Sequence, residues 1–380
     1  MKLNIKPLFY NLIVLWPLVS FASDTVEQDA YAAMVAKKIK TVMAQQHIPG
    51  MAVELIIDGK EHEYYFGVAN RETKEPVTRK TIFELGSISK IMTGLLVAQE
   101  IDWAKMSLSD PLKKYLKELP TSFNDITLQD LATHTSGLPH QLSHDIQNKE
   151  EALTSLSTLK SEYDPKEEWI YSNVGAGLLG YALEAATEKS YDKLYYRHIM
   201  LPLGMVNGVE VPPSLQKYMA QGYTQNNTSA YSVNANLFPA ADGVKASALD
   251  MQKFLKAAIG LPDTPMRVLY PMRLTQSVFV KIGHDFQGLG WQIHPIIKNK
   301  TSALKNVTDE IVLGPVGISE IYERPTYDGD ALIDKTGTTN GFRAYIAVLP
   351  NRKSGIVILA NKNVPNSAIV KPAREILLGL

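Results

Sequence analysis

The sequence predicts an α+β sandwich fold, in which strands from both ends of the chain form one antiparallel sheet around an inserted, mostly helical segment. Apolar, β-rich runs occur within residues 51–68 and again after residue 330, whereas helical periodicity dominates residues 83–200. Apolar residues make up 45% of the 380 residues and charged residues 21%, which is typical of a globular protein with a sizeable core. The simplest arrangement that buries the apolar residues of the sheet packs the terminal helices against it.

The N-terminal part of this sheet is predicted from a helix followed by a hairpin. Apolar residues at helical spacing indicate an amphipathic helix over 28–46, which Pro49-Gly50 ends. Residues 51–57 form an apolar strand pattern, Asp58-Gly59 is a hairpin signal, and 61–68 is the return strand.

The rest of the chain completes the arrangement. The middle predicts helices, separated by loops rich in Pro, Ser and Gly, at 87–100, 127–134, 149–160 and 174–188. The C-terminal end predicts strands, followed by a helix over 367–380, at 331–335, 342–349 and 355–360. We therefore expect a single catalytic domain over 23–380, with a sheet lobe of about 23–82 and 245–380 and a helical lobe of about 83–244.

The first 22 residues predict export. Lys2 and Lys6 precede a short apolar stretch over residues 8–19, and Ser20-Phe21-Ala22 carries small residues where a signal peptidase reads. We predict a signal peptide over 1–22 that is cleaved after Ala22. The alternative is a membrane anchor, but the apolar stretch is shorter than a membrane span requires. The expected location is the periplasm, with no membrane contact after cleavage.

Composition excludes several function classes. Lysine plus arginine equals aspartate plus glutamate at 39 each, which argues against nucleic acid or an anionic membrane as a partner. The chain has no cysteine, so disulfides, cysteine nucleophiles and cysteine–zinc sites are excluded. It also lacks the His-Glu-x-x-His pattern of zinc hydrolases and the Gly-x-Ser-x-Gly pattern of α/β-hydrolases, which argues against both classes. We expect a monomer that needs neither a metal nor a cofactor.

The first candidate catalytic motif is Ser87-Ile88-Ser89-Lys90. Positions three apart share a helix face, so the Lys90 amine would lie beside the Ser87 hydroxyl and could take its proton. The helix N-terminus would favour an oxyanion there. The Ser-x-x-Lys pattern alone is weak, but Ser87 opens a helix fit for burial, unlike the same pattern at Ser157, Ser190, Ser214 and Ser302.

The second candidate motif is Tyr171-Ser172-Asn173, just before a Gly-rich apolar helix. Two nearby ammonium groups would lower the pKa of Tyr171 and make its phenolate a plausible base. Asn173 could hold Lys90 and the amide carbonyl of a substrate. The alternative interpretation is a packed tyrosine followed by an asparagine that caps the helix.

The third candidate motif is Lys335-Thr336-Gly337, which ends the predicted strand over 331–334. Lys335 would supply positive charge for a carboxylate and for Tyr171, Thr336 would donate its hydroxyl, and Gly337 would let a ligand approach the backbone. The N–H groups of Thr338 and of the serine in the first motif could form an oxyanion hole. The alternative interpretation is a solvated edge strand with a turn.

The three motifs, spaced 84 and then 164 residues apart, resemble those of class C β-lactamases, which belong to the penicillin-recognising serine hydrolases. The resemblance implies a β-lactamase/transpeptidase-like fold and hydrolysis of cephalosporins and penicillins, giving antibiotic resistance through a serine acyl-enzyme. It also implies that Gln141 contacts the substrate's acylamido group, and that Asn363 and Asn366 lie near its carboxylate.

Two positions depart from the class C pattern. Ile369 stands where many class C enzymes carry an arginine beside the carboxylate, and Arg343 stands where a small residue is usual. A D-alanyl-D-alanine carboxypeptidase or serine esterase would use the same residues, and a non-enzymatic sensor is a further alternative. The sequence leaves open whether Tyr171 or Lys90 is the general base, since the two would titrate as a coupled set.

Overall fold

A sheet assembled from both ends of the chain dominates the architecture. The structure, a computed structural model, describes residues 22–143, 145–159, 161, 163–230, 237–295, 304, 307–309 and 312–379. The strands of these residues, in chain order, are β1 (Gly50–Ile57), β2 (Lys60–Gly67), β3 (Ile82–Glu84), β4 (Glu168–Trp169), β5 (Gly222–Tyr223), β6 (Ser229–Ala230), β7 (Lys245–Ser247), β8 (Val278–Ile282), β9 (Asp285–Gln287), β10 (Gln292–His294), β11 (Val316–Gly317), β12 (Glu320–Thr326), β13 (Leu332–Thr338), β14 (Arg343–Leu349) and β15 (Ser354–Ala360).

Helices fill the middle of the chain and cover the sheet. Those of the described residues are α1 (Ala22–Gln46), α2 (Ser89–Asp102), α3 (Leu128–Thr133), α4 (Lys149–Ser157), α5 (Asn173–Thr187), α6 (Tyr191–Tyr195), α7 (Leu201–Leu203), α8 (Pro239–Asp242), α9 (Ala248–Ala258), α10 (Met266–Thr275) and α11 (Asn366–Leu378). A π-helical segment, Tyr196–Met200, joins α6 to α7. Within these residues no helix combines the length and the apolar character needed to cross a membrane.

Pairing between the first and the last strand of the chain joins its two ends in one open sheet. Its order is β12-β8-β9-β10-β13-β14-β15-β1-β2, and all neighbouring strands are antiparallel. Strand β1 pairs with β15 in the register Met51↔Ala360. The predicted α+β fold, with a sheet built from both chain ends, is therefore confirmed.

The two faces of the sheet pack against different layers, which explains the continuous apolar runs of its central strands. On β15, Ile356 and Ile358 join the core under the terminal helices α1 and α11, where Ile369 is also buried. Val357 and Leu359 face the opposite core, which contains the apolar residues of α2 and α9. Successive side chains of a strand point to opposite faces of the sheet, so a strand that is buried on both faces needs apolar residues at every position.

Several elements differ from the prediction. The sequence interpretation did not include β8, β9, β10 and β12, nor helices α9 and α10. Strands of three residues, such as Asp285–Gln287, are too short to show a period of two, and β12 is largely exposed. The strand predicted over 331–335 continues to Thr338, because its polar second half pairs with β14.

The chain passes between the sheet and the helical layer at one strand pair. Strand β3 pairs with β7 in the register Ile82↔Ser247, close to the lobe boundaries at 82–83 and 244–245 that the sequence predicts.

Residues 1–21 of the predicted signal peptide lie outside the described residues, and its cleavage point after Ala22 falls at the first described residue. Export therefore stays a prediction.

A buried ionic cluster holds β13 against α11. Arg374 of α11 donates to the Asp334 carboxylate from Nη2 at 2.5 Å and from Nε at 3.2 Å. His294 of β10 lies 3.1 Å from Asp334 through Nε2 and 2.8 Å from Asp285 through Nδ1. Burial alone would lower the pKa of His294, but the charge of Asp334 and the two hydrogen bonds outweigh it and raise the pKa to about 9.

This cluster predicts a loss of stability at alkaline pH. The folded pKa of His294 lies above its usual 6.5, so its contribution is fully present below pH 6.5 and is lost as the pH rises through about 9. We expect His294→Gln to remove on the order of 3 kcal/mol from the unfolding free energy at pH 6 and much less at pH 10. Urea unfolding across this range measures it.

The control for this experiment is His284→Gln, which changes an exposed histidine in the turn between β8 and β9. It should follow the wild-type curve at every pH. A His294→Gln variant whose deficit is the same at pH 6 and pH 10 would contradict the assignment of the charge to His294.

Candidate active site

Ser87 is an accessible hydroxyl at the start of a buried helix. It lies in the 3₁₀ turn Gly86–Ile88, which leads directly into α2. From Thr81 to Glu100, every residue except Ser87 is buried. The Ser89 hydroxyl holds this turn in place, because it donates to the Gly86 carbonyl at 2.7 Å and accepts from the Val244 N–H at 3.0 Å.

Lys90 links Ser87 to the helical layer. Its ammonium donates to Ser87 Oγ at 3.0 Å, to Asn173 Oδ1 at 2.6 Å and to the Ala241 carbonyl at 2.9 Å. All three acceptors are neutral, and the side chain is 3% exposed. Burial lowers the pKa of Lys90 from its usual value, which brings the amine closer to the neutral form that accepts a proton.

Tyr171 lies between two lysine ammonium groups. Lys335 Nζ donates to the phenolic oxygen at 3.1 Å and lies 4.5 Å from the ring centroid, and Lys90 Nζ lies 4.9 Å from the same centroid. Burial opposes ionisation of the phenol, but the charges of Lys335 and Lys90 outweigh it and lower the pKa of Tyr171 to about 8. The Ser87 hydroxyl hydrogen-bonds to Tyr171 and contributes in the same direction. The tyrosine is thus suited to exchange a proton near neutral pH.

The cap of α5 leaves Asn173 free for this cluster. The N-cap is Ser172, whose hydroxyl accepts from the Gly175 N–H at 2.8 Å. Asn173 is the first residue of the helix, and its side-chain oxygen accepts from Lys90. The alternative interpretation of Asn173 as the helix cap is therefore wrong, because the neighbouring serine has this role.

The second half of β13 forms an edge beside Ser87. Strand β10 pairs with β13 only as far as Asp334, so within the described residues 335–338 have a strand partner only on the β14 side. A Cβ on Gly337 would lie 1.9 Å from the Leu85 carbonyl oxygen, so only glycine allows this contact. Gly86 has a φ of +51°, and a Cβ there would lie 2.6 Å from the Thr338 nitrogen. The absence of a side chain on Gly86 therefore allows the Thr338 backbone to lie directly beside the Ser87 turn.

Comparison with known proteins identifies the family of this site. The family model described as Beta-lactamase matches residues 35–380. The chain belongs to the β-lactamase family. The β-lactamase of Psychrobacter immobilis is 34% identical over 361 residues, which cover 94% of this chain and 88% of that protein. The β-lactamase of Escherichia coli is 34% identical over 351 residues, which cover 91% of this chain and 93% of that protein.

Solved structures of this family confirm the β-lactamase/transpeptidase-like fold. A class C β-lactamase mutant superposes with a TM-score of 0.87 and 29% sequence identity, covering 93% of this chain and 98% of that one. A β-lactamase/D-alanine carboxypeptidase from Pseudomonas syringae superposes with a TM-score of 0.86 and 31% identity, covering 92% of this chain and 98% of that one. The chain is therefore a hydrolase of the β-lactamase family.

Two histidines that sequence reasoning gave no role support Tyr171 in this β-lactamase-family site. The His134 ring lies 4.5 Å from the Tyr171 ring, and its Nδ1 accepts from the Ser172 N–H at 3.2 Å. Burial, with Lys335 and Lys90 nearby, holds the pKa of His134 well below its usual value, so the ring is neutral. His140 Nδ1 lies 3.0 Å from the Tyr171 carbonyl oxygen. Neither histidine belongs to one of the three motifs, so the sequence analysis gave no signal of their contact with Tyr171.

Two of the predicted substrate-binding residues, Gln141 and Thr336, are at least partly accessible. Gln141 is exposed and follows His140, whose carbonyl accepts from the Asn173 N–H at 2.9 Å. Thr336 is half-buried on β13.

The two predicted asparagines have different surroundings. Asn363 Oδ1 accepts from Arg343 Nη2 at 3.3 Å, which ties it to the sheet beside β13. Asn366 instead holds residues 307–309, because its side-chain nitrogen donates to the Thr308 carbonyl at 3.3 Å and its backbone N–H donates to the Asp309 carbonyl at 2.9 Å. Only Asn363 therefore joins the hydrogen-bond network that reaches β13 in the part of the chain that the structure describes.

Proposed function

We propose that the protein is a class C serine β-lactamase that hydrolyses cephalosporins and penicillins through an acyl-enzyme on Ser87, giving antibiotic resistance. The observation that carries the proposal is the position of the buried Lys90 amine, which contacts Ser87 Oγ and Asn173 Oδ1 and lies beside Tyr171. A serine hydroxyl attacks a carbonyl well only when a neighbouring base takes its proton. The class C structural relative supports the choice of class.

In the proposed acylation step, the Lys90–Tyr171 pair transfers the protons. The Ser87 oxygen attacks the β-lactam carbonyl carbon, and its proton passes to the Lys90–Tyr171 pair. The N–H groups of Ser87 and Thr338 stabilise the negative charge on the carbonyl oxygen. The ring C–N bond then breaks, and the nitrogen takes a proton from the same pair. Because the two groups interact strongly, the proton belongs to the pair rather than to one residue.

Deacylation uses the same groups in the reverse direction. A water molecule beside Tyr171 loses its proton to the Lys90–Tyr171 pair and attacks the ester carbonyl of the acyl-enzyme. The second tetrahedral intermediate collapses, and the proton returns to Ser87 Oγ. Lys335, which donates to the Tyr171 oxygen, favours the ionised phenol throughout.

A D-alanyl-D-alanine carboxypeptidase or serine esterase is the second candidate. One structural relative is named as a β-lactamase/D-alanine carboxypeptidase, and it is 31% identical to this chain. Such an enzyme would form the same acyl-enzyme on Ser87. The difference lies in deacylation, since a β-lactamase must admit water while the opened ring remains attached.

The test is hydrolysis of a chromogenic cephalosporin by residues 23–380, with mass spectrometry of the protein after dosing. Fast turnover with an adduct that appears on the Ser87 peptide and decays would support a β-lactamase. A stable adduct with little turnover would instead favour the peptidase or esterase. Absence of both would overturn the assignment of the site.

The pKa of Tyr171 predicts the pH dependence of the reaction. The phenol acts as a base only after losing its proton, so kcat/KM should rise with pH through about 8 and then level off. We expect Tyr171→Phe to remove this rise and to lower kcat/KM by roughly 100- to 10,000-fold. Pre-steady-state acylation rates across the pH range measure the effect.

Tyr196→Phe is the matched control, because Tyr196 is 54% exposed and lies outside the site. It should keep the wild-type profile. If Tyr171→Phe keeps the same inflection near pH 8, that inflection belongs to another group and the proposed role of the phenol is wrong.

We also propose that the protein is exported to the periplasm and acts there as a monomer. The charged start, apolar stretch and small residues of positions 1–22 support export. A mature N-terminus at Ser23 in a periplasmic extract, and the mass of a monomer in solution, are the expected measurements. Cell-associated protein that retains Met1 would contradict the cleavage.

A further inference from the structure

Two glutamates and a tyrosine form a cluster at one end of the large sheet. Glu54 of β1 lies directly opposite Glu63 of β2 in the antiparallel register, so their side chains point to the same face. Strand β2 ends the sheet order of the described residues. Tyr65 follows Glu63 by two residues on the same face, and its phenolic oxygen contacts both carboxyl groups. The neighbours of Glu54 on this face of β1, Ala52 and Ile56, belong to the core that contains the apolar residues of α9.

The hydrogen bonds of this cluster require one carboxyl group to carry a proton. Tyr65 Oη lies 3.0 Å from Glu54 Oε1 and within hydrogen-bond distance of Glu63 Oε2. A phenol has one hydrogen to donate, whereas an ionised carboxylate only accepts. Burial is the largest cause that raises the pKa of Tyr65 above its usual 10, so the phenol keeps its hydrogen. If both carboxyl groups were ionised, one of the two contacts would place two acceptors against each other.

Burial favours Glu54 as the group that holds the proton. Its side chain is 1% exposed, and its second oxygen, Oε2, has no hydrogen-bond partner among the described residues. Glu63 is exposed instead, and its Oε1 accepts from Arg79 Nη2 at 3.0 Å. Burial raises the pKa of Glu54 to about 9, against the hydrogen bond from Tyr65 and in the same direction as the charge of Glu63. The neutral form of Glu54 is therefore favoured at pH 7.

The other charged groups around Glu54 have partners elsewhere. Glu61, on the same face of β2, lies 2.7 Å from Lys256 Nζ of α9. Asp250 caps its own helix α9, and Lys253 donates to the carbonyl at the end of α7. Strand β15, the other neighbour of β1, has no charged residue, and α1 covers the opposite face. Within the part of the chain that the structure describes, no cation forms an ion pair with Glu54.

We propose that Glu54 is a neutral carboxylic acid in the folded protein and that its proton holds the outer strand β2 against the sheet. Glu54 donates this proton to Tyr65 Oη, and Tyr65 donates its own to Glu63. Loss of the proton at alkaline pH places two carboxylates opposite each other across the β1–β2 ladder, one of them buried, and such a pair repels. The result is local opening of β2, the outermost strand of the described sheet. This property is independent of the Ser87 chemistry.

The pH range of this effect follows from the two pKa values of Glu54. The unfolded chain has the usual value of 4.5, and the folded protein has about 9. The folded pKa is the higher one, so the stabilisation is fully present below pH 4.5 and is lost as the pH rises through about 9. Between these values, each opening of the cluster releases one proton.

The test follows hydrogen exchange of the β2 amides in residues 23–380 and in Glu54→Gln, which keeps the shape of the side chain but cannot ionise. We expect the variant to be more protected than the wild type, by a ratio that grows up to about tenfold per pH unit between pH 5 and pH 9 and then levels off. Infrared spectroscopy at pH 7 detects the proton directly. The carbonyl band of a protonated carboxylic acid should be lost in Glu54→Gln and retained in Glu63→Gln.

Glu61→Gln is the matched control, because Glu61 lies on the same face of the same strand but is 36% exposed and paired with Lys256. It should match the wild type at every pH. A protection ratio between Glu54→Gln and the wild type that stays constant from pH 5 to pH 9 would overturn the proposal. Loss of the infrared band in Glu63→Gln would also overturn it, because the proton would then belong to Glu63. If Glu54→Gln fails to fold, Glu54→Met, which also cannot ionise, decides by the same ratio.

Discussion

Replacement of Ser87 by alanine is expected to lower kcat for a chromogenic cephalosporin by at least about 10,000-fold and to abolish the covalent adduct. The variant removes the oxygen that Lys90 contacts at 3.0 Å, and no adjacent hydroxyl can replace it, because the Ser89 hydroxyl is bonded to Gly86 and Val244. Ser87 is the accessible position in an otherwise buried stretch, so the change should not disturb packing. Steady-state kinetics and mass spectrometry of the intact protein measure both effects.

The matched control is Ser214→Ala. Ser214 has the same Ser-x-x-Lys pattern, with Lys217 three residues later, but it is exposed in the 3₁₀ helix Pro213–Tyr218. This variant should be indistinguishable from the wild type. A Ser87→Ala protein that retains near-normal turnover, or an adduct that maps to another peptide, would show that the nucleophile has been misassigned.

Replacement of Lys90 by methionine is expected to lower kcat/KM by roughly 1,000-fold or more, because it removes the group in contact with Ser87, the proposed nucleophile. It should also shift the pH profile of the residual activity. The charge of Lys90 is one of the causes that lower the pKa of Tyr171 to about 8, so its removal should move that pKa upward, toward its usual 10. Acylation rates measured between pH 6 and pH 11 would show the alkaline shift.

The stability of the Lys90 variant separates a catalytic loss from a folding defect. A buried ammonium carries a desolvation cost, so an apolar side chain of similar length should leave the unfolding free energy unchanged or higher. The exposed Lys117 provides the control variant Lys117→Met, which should match the wild type in both activity and stability. A Lys90→Met protein with wild-type acylation rates would exclude the lysine from the proton transfer.

The parts of the fold that could be predicted from sequence are those with a strong local pattern. The hairpin of β1 and β2 was placed within one residue, because an Asp-Gly turn separates two clear strand runs. Helix α5 was also placed within one residue, since its apolar sequence is long and periodic. The region from β8 to β12 escaped prediction because its short or exposed strands are stabilised by their neighbours in the sheet.

The candidate site shows the same division. Three motifs and their order indicated Ser87, Lys90, Tyr171, Asn173 and Lys335, because each motif combines residue types that this chemistry needs. Their sequence alone did not reveal the support that His134 gives to Tyr171, or the bond from Lys90 to the carbonyl of Ala241. A histidine or a backbone carbonyl far along the chain carries no local signal of the partner that it will meet.

The amino-acid sequence by itself determined the family and the antiparallel sheet built from both chain ends, and it singled out Ser87 as the candidate nucleophile, since these depend on local patterns and motif order. The tertiary structure alone decided how the charges pair. Lys335 is committed to Tyr171, Asn366 holds residues 307–309, and Arg343 lies beside Thr338 without an anion among the described residues. Electrostatic and hydrogen-bond partners depend on distances of a few ångströms between remote segments, and only the folded chain sets those distances.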